Sequence, residues 1–231
     1  MIAEMTQAFV IAAAPRPALP VVGDDRRFPV RRIWCVAKNY ADHAREMGGD
    51  PARQPPRFFA KPADAVVPPG EPVPYPPATA ELHHEVELVL ALGRGGASVA
   101  EEDALDLVFG CAVGLDLTRR DLQQQAKAAG APWDLSKGFD RSAPCSAVRP
   151  GPPPPSGWLS LAVNGEVRQR GEISEMIWSP AEIIGRLSRY VALAAGDLIF
   201  TGTPAGVGPL AVGDRVEAEL AGIGRLELTI A

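Results

Sequence analysis

The chain has 231 residues, of which 46% are hydrophobic, and its formal net charge is −5. A chain of this size can bury a sizeable core, and one globular unit is expected. Its Lys and Arg residues are spread along the sequence, which argues against a nucleic-acid partner, and no apolar run approaches the roughly 20 residues of a membrane-spanning helix.

The three cysteines, Cys35, Cys111 and Cys145, are odd in number, widely spaced and free of any CxxC pattern. This usage predicts packing residues in a reducing compartment and argues against a disulfide framework and a zinc site. The apolar patch from Phe9 to Ala14 is preceded by an acid and followed by a proline, which does not fit a signal peptide. We therefore expect a cytoplasmic protein that binds no membrane.

In chain order, the first clear strand is predicted over Arg32 to Ala37, and a short helix follows within "KNYADHAREM", Lys38 to Met47. Prolines cluster between Pro51 and Pro77 and between Pro150 and Pro155, which predicts loops or edge connections there. Between these clusters, "HEVELVLALG" alternates strictly and predicts a strand with two distinct faces. One face carries Val86, Leu88, Leu90 and Leu92, and the other carries Glu85, Glu87, Val89 and Ala91.

Further along, Ser98 and Glu101 have the spacing of a capping box and predict a helix that runs to about Phe109. "CAVGLDL" predicts a strand that ends near Asp116, after which Thr118 is expected to cap a helix that Gly130 closes.

"LAVNGEVRQ" predicts a hairpin, because Asn-Gly tolerates the positive backbone angles of a tight turn. Ser179 and Pro180 begin a helix that is expected to reach Val191, and the C-terminal segments predict strands joined by Gly turns. Strands outnumber helices and occur in hairpins, so a β-rich α/β fold is expected in place of a doubly wound parallel sheet.

Two carboxylates, Glu85 and Glu87, project from the same side of one predicted strand. Such a pair most often lies on a solvated face, but if the face is buried, each ionised group needs a compensating cation. A third acid, Asp116, ends the next apolar strand. Together the three predict a site for a hard divalent ion, Mg²⁺, Mn²⁺ or Ca²⁺, with Mg²⁺ expected, and the adjacent His84 is a candidate partner of these ligands.

An octahedral ion with three protein ligands keeps three positions open. Two of these suit a substrate that chelates through a carboxylate and an adjacent keto oxygen, and the third suits a water. The predicted site therefore indicates chemistry on a small 2-oxo acid.

Six motifs in this order resemble the fumarylacetoacetate hydrolase family, and within it the short acylpyruvate and fumarylpyruvate hydrolases. They are "KNYADHAREM", "FFAKP", "LHHEVEL", "GLDLTRRDLQ", "SKGFDRSAP" and "IFTGTPAGVG". The resemblance runs from about residue 31 to the C-terminus and implies a β-rich, sandwich-like roll with a few short helices. It also implies a metal-dependent homodimer. Residues 1–30 find no strong match and are expected to be an N-terminal extension or an added strand and hairpin.

The resemblance implies a role for each matching residue. It makes Glu85, Glu87 and Asp116 the metal ligands, which agrees with the charge argument. The matching positions for substrate contacts are Lys137, which faces the metal-bound substrate, Arg120 and Gln123 near the reacting carbonyl, and Thr203 at the substrate carboxylate. One departure is Ala37, where the family usually has Gly, so the approach of this segment to the site is expected to differ.

His43 and Glu46 are three residues apart and can touch on a helix, with Tyr40 packed beside them. Without further context, such a pair is usually an exposed surface pair with no catalytic role. The family position instead implies a base, His43, oriented by Glu46, that activates water for attack on the acyl carbonyl. The expected reaction is cleavage of a 3-acylpyruvate, with fumarylpyruvate of gentisate breakdown as the expected substrate.

Several alternatives share the same site. Oxaloacetate decarboxylation and isomerisation or decarboxylation of muconate-type diacids use the same chelate, and a non-catalytic, metal-stabilised protein is a third possibility. A fumaryl group carries a second carboxylate, so the acyl pocket is expected to hold a cation. Lys61 and Arg141 are the candidates for that contact.

Overall fold

The computed structural model describes residues 9–46 and 54–231. Within them the helices are α1 (Ala41–Glu46), α2 (Arg120–Ala129), α3 (Asp134–Lys137) and α4 (Pro180–Leu187), with 3-10 turns at Ala63–Ala65, Glu101–Leu107 and Ile173–Glu175. The strands are β1 (Ala18–Val21), β2 (Asp24–Pro29), β3 (Arg32–Ala37), β4 (Arg57–Lys61), β5 (Val66–Val67), β6 (Leu82–His84), β7 (Val86–Leu92), β8 (Val108–Leu115), β9 (Thr118–Arg119), β10 (Ala143–Pro144), β11 (Arg149–Pro150), β12 (Trp158–Val163), β13 (Glu166–Glu172), β14 (Asp197–Phe200), β15 (Gly208–Leu210), β16 (Arg215–Leu220) and β17 (Gly224–Thr229).

The largest sheet is mixed and has the strand order β11-β8-β7-β14-β3-β4. Its ladders are antiparallel except for the parallel pair of β14 and β3. A four-stranded antiparallel sheet, β13-β12-β16-β17, packs against it, while β15-β6-β9 and β1-β2 form smaller sheets. The expected β-rich fold with a few short helices is confirmed, and in the described part of the chain no sheet closes into a barrel.

Strand β7 lies in the middle of the large sheet and is buried on both faces. Its even-numbered residues, such as Leu88 and Leu90, belong to the core between the two large sheets, whereas Val89 and Ala91 belong to a second core. The β1-β2 hairpin covers that second core with Leu19 and other apolar residues. The predicted alternation is therefore confirmed, and the face that carries Glu87 is buried.

Two predicted helix starts are wrong, because the residues expected to cap these helices make other contacts in the fold. Ser98 has a positive φ of 49°, and its N–H donates to the Ser188 carbonyl, so it caps no helix. The segment after it forms only the 3-10 turn, because β8 already begins at Val108. Thr118 lies in β9, where its hydroxyl donates to the Asp116 carbonyl, and α2 begins two residues later without a side-chain cap.

Other local signals are confirmed. Asn164 and Gly165 have φ angles of 53° and 82° at the turn between β12 and β13, as the Asn-Gly pair predicts. Ser179 caps α4 through a reciprocal capping box with Glu182, and Gly130 closes α2 with φ at 63°. Helix α4 ends at Leu187, four residues before the expected end.

All three cysteines are free and buried, which confirms their role as packing residues. Burial raises the pKa of each thiol, that of Cys111 to about 12, so they stay protonated at neutral pH. In the described ranges, no helix combines the length and apolar content that crossing a membrane requires.

Gly114 of β8 is packed so closely that a side chain cannot be added without displacing neighbours. A Cβ there would lie 2.6 Å from Val89 Cγ2 and 2.7 Å from Phe200 Cε1. We expect Gly114→Ala to lower the free energy of unfolding by about 1–3 kcal/mol, measured by urea denaturation. The matched control is Gly224→Ala in β17, where the nearest atom is 3.6 Å away. Equal urea midpoints for the two variants would contradict this account.

Candidate metal centre and active site

Three buried carboxylates meet where β7 begins and β8 ends. In the antiparallel register Val86 pairs with Leu115, so Asp116 stands opposite Glu85, and its N–H donates to the Glu85 carbonyl at 2.9 Å. Glu87 lies two residues further along the same face of the strand. One ligand oxygen from each of the three acids lies within 4.8 Å of the others. The three predicted metal ligands are thus brought together.

Three cations surround this cluster. Lys137, at the end of α3, places Nζ 2.9 Å from Glu85 Oε2 and 2.6 Å from Asp116 Oδ2, and also donates to Thr118 Oγ1 at 2.7 Å. Arg120 at the start of α2 forms an ion pair with Glu85. Lys137, Arg120 and Thr118 join Glu85 and Asp116 in one buried network that holds the carboxylates in place.

Lys61 is the third cation, and the structure corrects its predicted role. Its ammonium is fully buried on the far side of Asp116, 2.8 Å from Oδ1, and donates to the backbone carbonyls of Leu117 and Lys137. A side chain committed in this way fixes a metal ligand and does not reach an acyl pocket.

The second candidate for that contact, Arg141, is also not brought to the site. Its guanidinium donates to Glu71 Oε2 and to the Pro72 carbonyl, both at 2.8 Å, on another part of the surface. The sequence could not indicate this, because the partners are about 70 residues away.

The two glutamates of the cluster differ in electrostatic environment. Burial alone would raise the pKa of Glu85, but Lys137 and Arg120 outweigh it, and the pKa lies well below the usual value. Burial, with Asp116 and Glu85 nearby, raises the pKa of Glu87 well above its usual value. Glu87 accepts a hydrogen bond from the Gly202 N–H at 2.7 Å, and no described cation pairs with it. It is the carboxylate that most needs a further positive charge.

The donor set fits a hard divalent ion. Each acid can offer an oxygen at one point in space, and the described residues near that point include no Cys ligand, so the set suits Mg²⁺ or Mn²⁺ better than zinc. A bound ion would also neutralise Glu87.

His43 and Glu46 of α1 make the predicted contact. His43 Nδ1 lies 3.2 Å from Glu46 Oε2, and the imidazole is buried, whereas Glu46 is partly exposed. If Nδ1 carries the donated proton, Nε2 is left as an acceptor in the cleft. Burial lowers the pKa of His43 against the opposing effects of Glu85 and Glu46, so the ring is neutral at pH 7. Both Glu46 oxygens accept from the Gly206 N–H at 3.2 Å.

Helix α2 presents polar groups to the same cleft. Arg120 Nη1 donates to Gln123 Oε1 at 2.6 Å, and its Nε lies 3.4 Å from His83 Nδ1. The predicted shared face of Arg120 and Gln123 is therefore observed, and both are buried. Both residues line the same cleft as the acids.

Gln169 of β13 is a residue that the sequence analysis missed. Its Oε1 accepts from His84 Nδ1 at 2.9 Å and from the Val86 N–H at 3.1 Å, while its Nε2 donates to Thr203 Oγ1 and to the Pro204 carbonyl, both at 2.8 Å. One buried amide thereby ties the start of the acidic strand to the loop of Thr203. No local pattern marks a Gln in a hairpin strand for such a role.

The cleft that contains these groups is lined by residues from six parts of the chain. They are Val36, Ala37, Lys38, His43, Phe59, Glu85, Glu87, Asp116, Arg120, Gln123, Lys127, Trp133, Lys137 and Thr203. Ala37 keeps a negative φ, and the unusual angle falls on Lys38, whose φ is 58°.

The fold and the buried acidic cluster agree with the family that the motifs predict. The chain matches the family model described as Fumarylacetoacetate (FAA) hydrolase C-terminal over residues 32–231, and it belongs to the fumarylacetoacetate hydrolase family, as its motifs predict.

The named activities differ among the relatives. The crystal structure of fumarylpyruvate hydrolase from Pseudomonas aeruginosa in complex with Mn²⁺ and pyruvate is 47% identical, with a TM-score of 0.94 over 97% of this chain and 99% of that chain. Fumarylpyruvate hydrolase of Ralstonia sp is 43% identical over 175 residues, 75% of this chain and 91% of the relative. Human mitochondrial oxaloacetate tautomerase FAHD1 is 44% identical over 205 residues, 84% of this chain and 92% of the relative.

Proposed function

We propose that the protein is a divalent-metal-dependent acylpyruvate hydrolase whose substrate is fumarylpyruvate, which it converts to fumarate and pyruvate in gentisate breakdown. The observation that carries the proposal is the contact between His43 and Glu46, with His43 lining the same cleft as Glu85, Glu87 and Asp116. A decarboxylase or tautomerase needs no attacking water, and a base oriented by a carboxylate suits the activation of one.

The roles of the residues follow from their positions. Glu85, Glu87 and Asp116 would hold the ion, Mg²⁺ for this all-oxygen set, and Mn²⁺ is the ion of the similar Pseudomonas structure. When bound, the ion supplies Lewis acidity for the 2-oxo acid end of the substrate. Thr203, positioned by Gln169, offers a hydroxyl to the substrate carboxylate.

Cleavage adds water across a carbon–carbon bond. His43 Nε2 takes a proton from water as its oxygen bonds to the acyl carbon, and Arg120 and Gln123 donate to the oxygen that gains charge. The bond to the pyruvate methylene carbon then breaks, fumarate leaves as the acid, and a proton is delivered to that carbon. Lys137, which is held protonated because Asp116 and Glu85 outweigh its burial and raise its pKa, stabilises the negative charge on the pyruvate half.

A second candidate is action on oxaloacetate, which the similarity to the FAHD1 tautomerase supports. Oxaloacetate presents the same carboxylate and keto oxygen to the ion, and its enol and keto forms interconvert by proton transfer alone. Such a reaction uses the acids and Lys137 but forms no fumarate and consumes no water. The homodimer is proposed from the family resemblance, and the cytoplasmic location is proposed from the free cysteines.

The test compares fumarylpyruvate, acetylpyruvate and oxaloacetate, each with Mg²⁺, with chelator, and with Mg²⁺ restored. Enol absorbance gives the rate, and chromatographic measurement of pyruvate and fumarate separates cleavage from tautomerisation. We expect fast formation of equal amounts of fumarate and pyruvate that stops with chelator and resumes with Mg²⁺. Loss of oxaloacetate enol without any cleavage of either acylpyruvate would replace the proposal with the second candidate.

A further inference from the structure

Two kinds of lysine lie near the acids and the cleft. Lys61 and Lys137 are buried and ion-paired with the acids of the candidate metal centre. Lys38 and Lys127 line the outer part of the cleft, and neither forms an ion pair with a residue that the structure describes. An ammonium group that faces a cleft without a counter-ion is available for an anionic ligand.

Lys127 continues a line of substrate-facing groups along α2. Arg120, Gln123 and Lys127 are spaced i, i+3 and i+7 and therefore share one face of the helix, and all three line the cleft. Seven residues correspond to about two helical turns, so Lys127 lies roughly 10 Å further along the helix axis than Arg120. The inner end of this line contacts the acids, and its outer end is a cation with no carboxylate partner among the described residues.

An aromatic wall connects the two ends. Lys137 Nζ lies 5.0 Å from the centroid of the Phe59 ring, the Phe59 and Trp133 rings are 5.9 Å apart, and Lys127 Nζ lies 5.4 Å from the Trp133 centroid. Flat, conjugated groups pack well against aromatic surfaces. The wall thus suits a planar acyl chain that extends from the metal centre towards Lys127.

Positive charges outnumber negative ones around Lys127. Desolvation, followed by repulsion from Arg120 and Lys38, lowers the pKa of Lys127 to about 8, although Glu85 acts in the opposite direction. A carboxylate placed between Lys38 and Lys127 would relieve this repulsion. The positive φ of Lys38 is an unfavourable angle for a side chain of this kind, and such angles are retained where the surrounding structure has a use for them.

We propose that Lys127, together with Lys38, binds the distal carboxylate of the substrate, so that the cleft selects acylpyruvates with a planar acyl group ending in a second carboxylate. This inference rests on the proposed acylpyruvate hydrolysis. It assigns to these two residues the contact for which neither Lys61 nor Arg141 is placed.

The test compares Lys127→Met, Lys127→Arg and the control Arg94→Met, which removes an exposed cation that does not line the cleft. For each protein with Mg²⁺, kcat/KM is measured for fumarylpyruvate and for acetylpyruvate, which lacks the second carboxylate. Losing one charged contact should lower the ratio of the two values by about 10- to 100-fold in Lys127→Met. We expect this loss to appear in KM for fumarylpyruvate, with Lys127→Arg close to wild type and Arg94→Met unchanged.

An unchanged ratio in Lys127→Met, or equal losses for both substrates, would overturn the assignment. If the wild-type enzyme cleaves neither acylpyruvate, the proposed function fails, and the lysine assignment is then decided by calorimetric binding of fumarate and crotonate to the Mg²⁺-loaded protein. Crotonate has the same unsaturated chain with a single carboxylate. Weaker fumarate binding and unaltered crotonate binding in Lys127→Met would support the assignment, and equal affinities of variant and wild type for fumarate would overturn it.

Discussion

Glu85→Ala is expected to lose tight divalent-metal binding and, with it, measurable turnover of any 2-oxo acid. Glu85 supplies one of three clustered ligand oxygens, and it also separates Lys137 from Arg120. Its removal deletes a ligand and leaves two cations facing the ion. The loss of affinity should exceed the roughly 10- to 100-fold change caused by removing an outer partner of a metal ligand.

Calorimetric titration with Mn²⁺ measures this loss directly and does not depend on the choice of substrate. Glu102→Ala is the matched control, because Glu102 is exposed in the 3-10 turn before β8 and should leave both binding and turnover intact. Urea denaturation of both variants separates a loss of binding from a loss of folding. A folded Glu85→Ala protein with wild-type Mn²⁺ affinity would refute the proposed metal centre.

His43→Ala should bind the ion normally and yet turn over fumarylpyruvate about 10²- to 10⁴-fold more slowly, the usual contribution of a general base. Burial lowers the pKa of His43, so the neutral ring persists below pH 6.5. Wild-type kcat should therefore be constant through neutral pH and fall only as the pH drops through that lowered pKa. In His43→Ala this acidic limb should vanish, and the residual rate should rise with hydroxide concentration.

Glu46→Gln tests the orienting role in the same pH profile. The Glu46 carboxylate raises the pKa of His43, so its neutralisation should move the acidic limb to still lower pH. The plateau should fall by less than in His43→Ala, because the base remains. Normal turnover by His43→Ala, or a limb that stays in place in Glu46→Gln, would rule out the pair as base and orienting partner.

The features predicted well from sequence are those that a few neighbouring residues determine. The alternation in "HEVELVLALG" defines both faces of β7, and the three-residue spacing of His43 and Glu46 on a helix already brings their side chains into reach. Charge alone links Asp116 to the glutamates, because a buried pair of acids needs an ion and an ion needs a further ligand. The antiparallel register of β7 and β8 then places Asp116 opposite Glu85.

The wrong predictions concern side chains whose partners lie far away in sequence. Lys61 and Arg141 are both basic and both near the matched motifs, yet one turns inward to Asp116 and the other outward to Glu71. Ser and Thr commonly cap helices. In the fold, however, the Ser98 N–H donates to the Ser188 carbonyl, and Thr118 pairs with His83 in a small sheet. No sequence pattern distinguishes Lys127 from other lysines on polar helices. Only the three-dimensional structure places it at the cleft.

The contacts between the acidic centre and the C-terminal half of the chain determine when the site can form during synthesis. Glu87 is held by an N–H 115 residues away, Glu46 by one 160 residues away, and the amide of Gln169 joins His84 to the loop after β14. Long-range contacts of this kind close late in folding. On the ribosome, a nascent chain carries its acids and its base long before Gly202 and Gly206 are synthesised. The centre is therefore completed only near the end of synthesis, and a truncated product would carry its reactive residues without the loop that holds them.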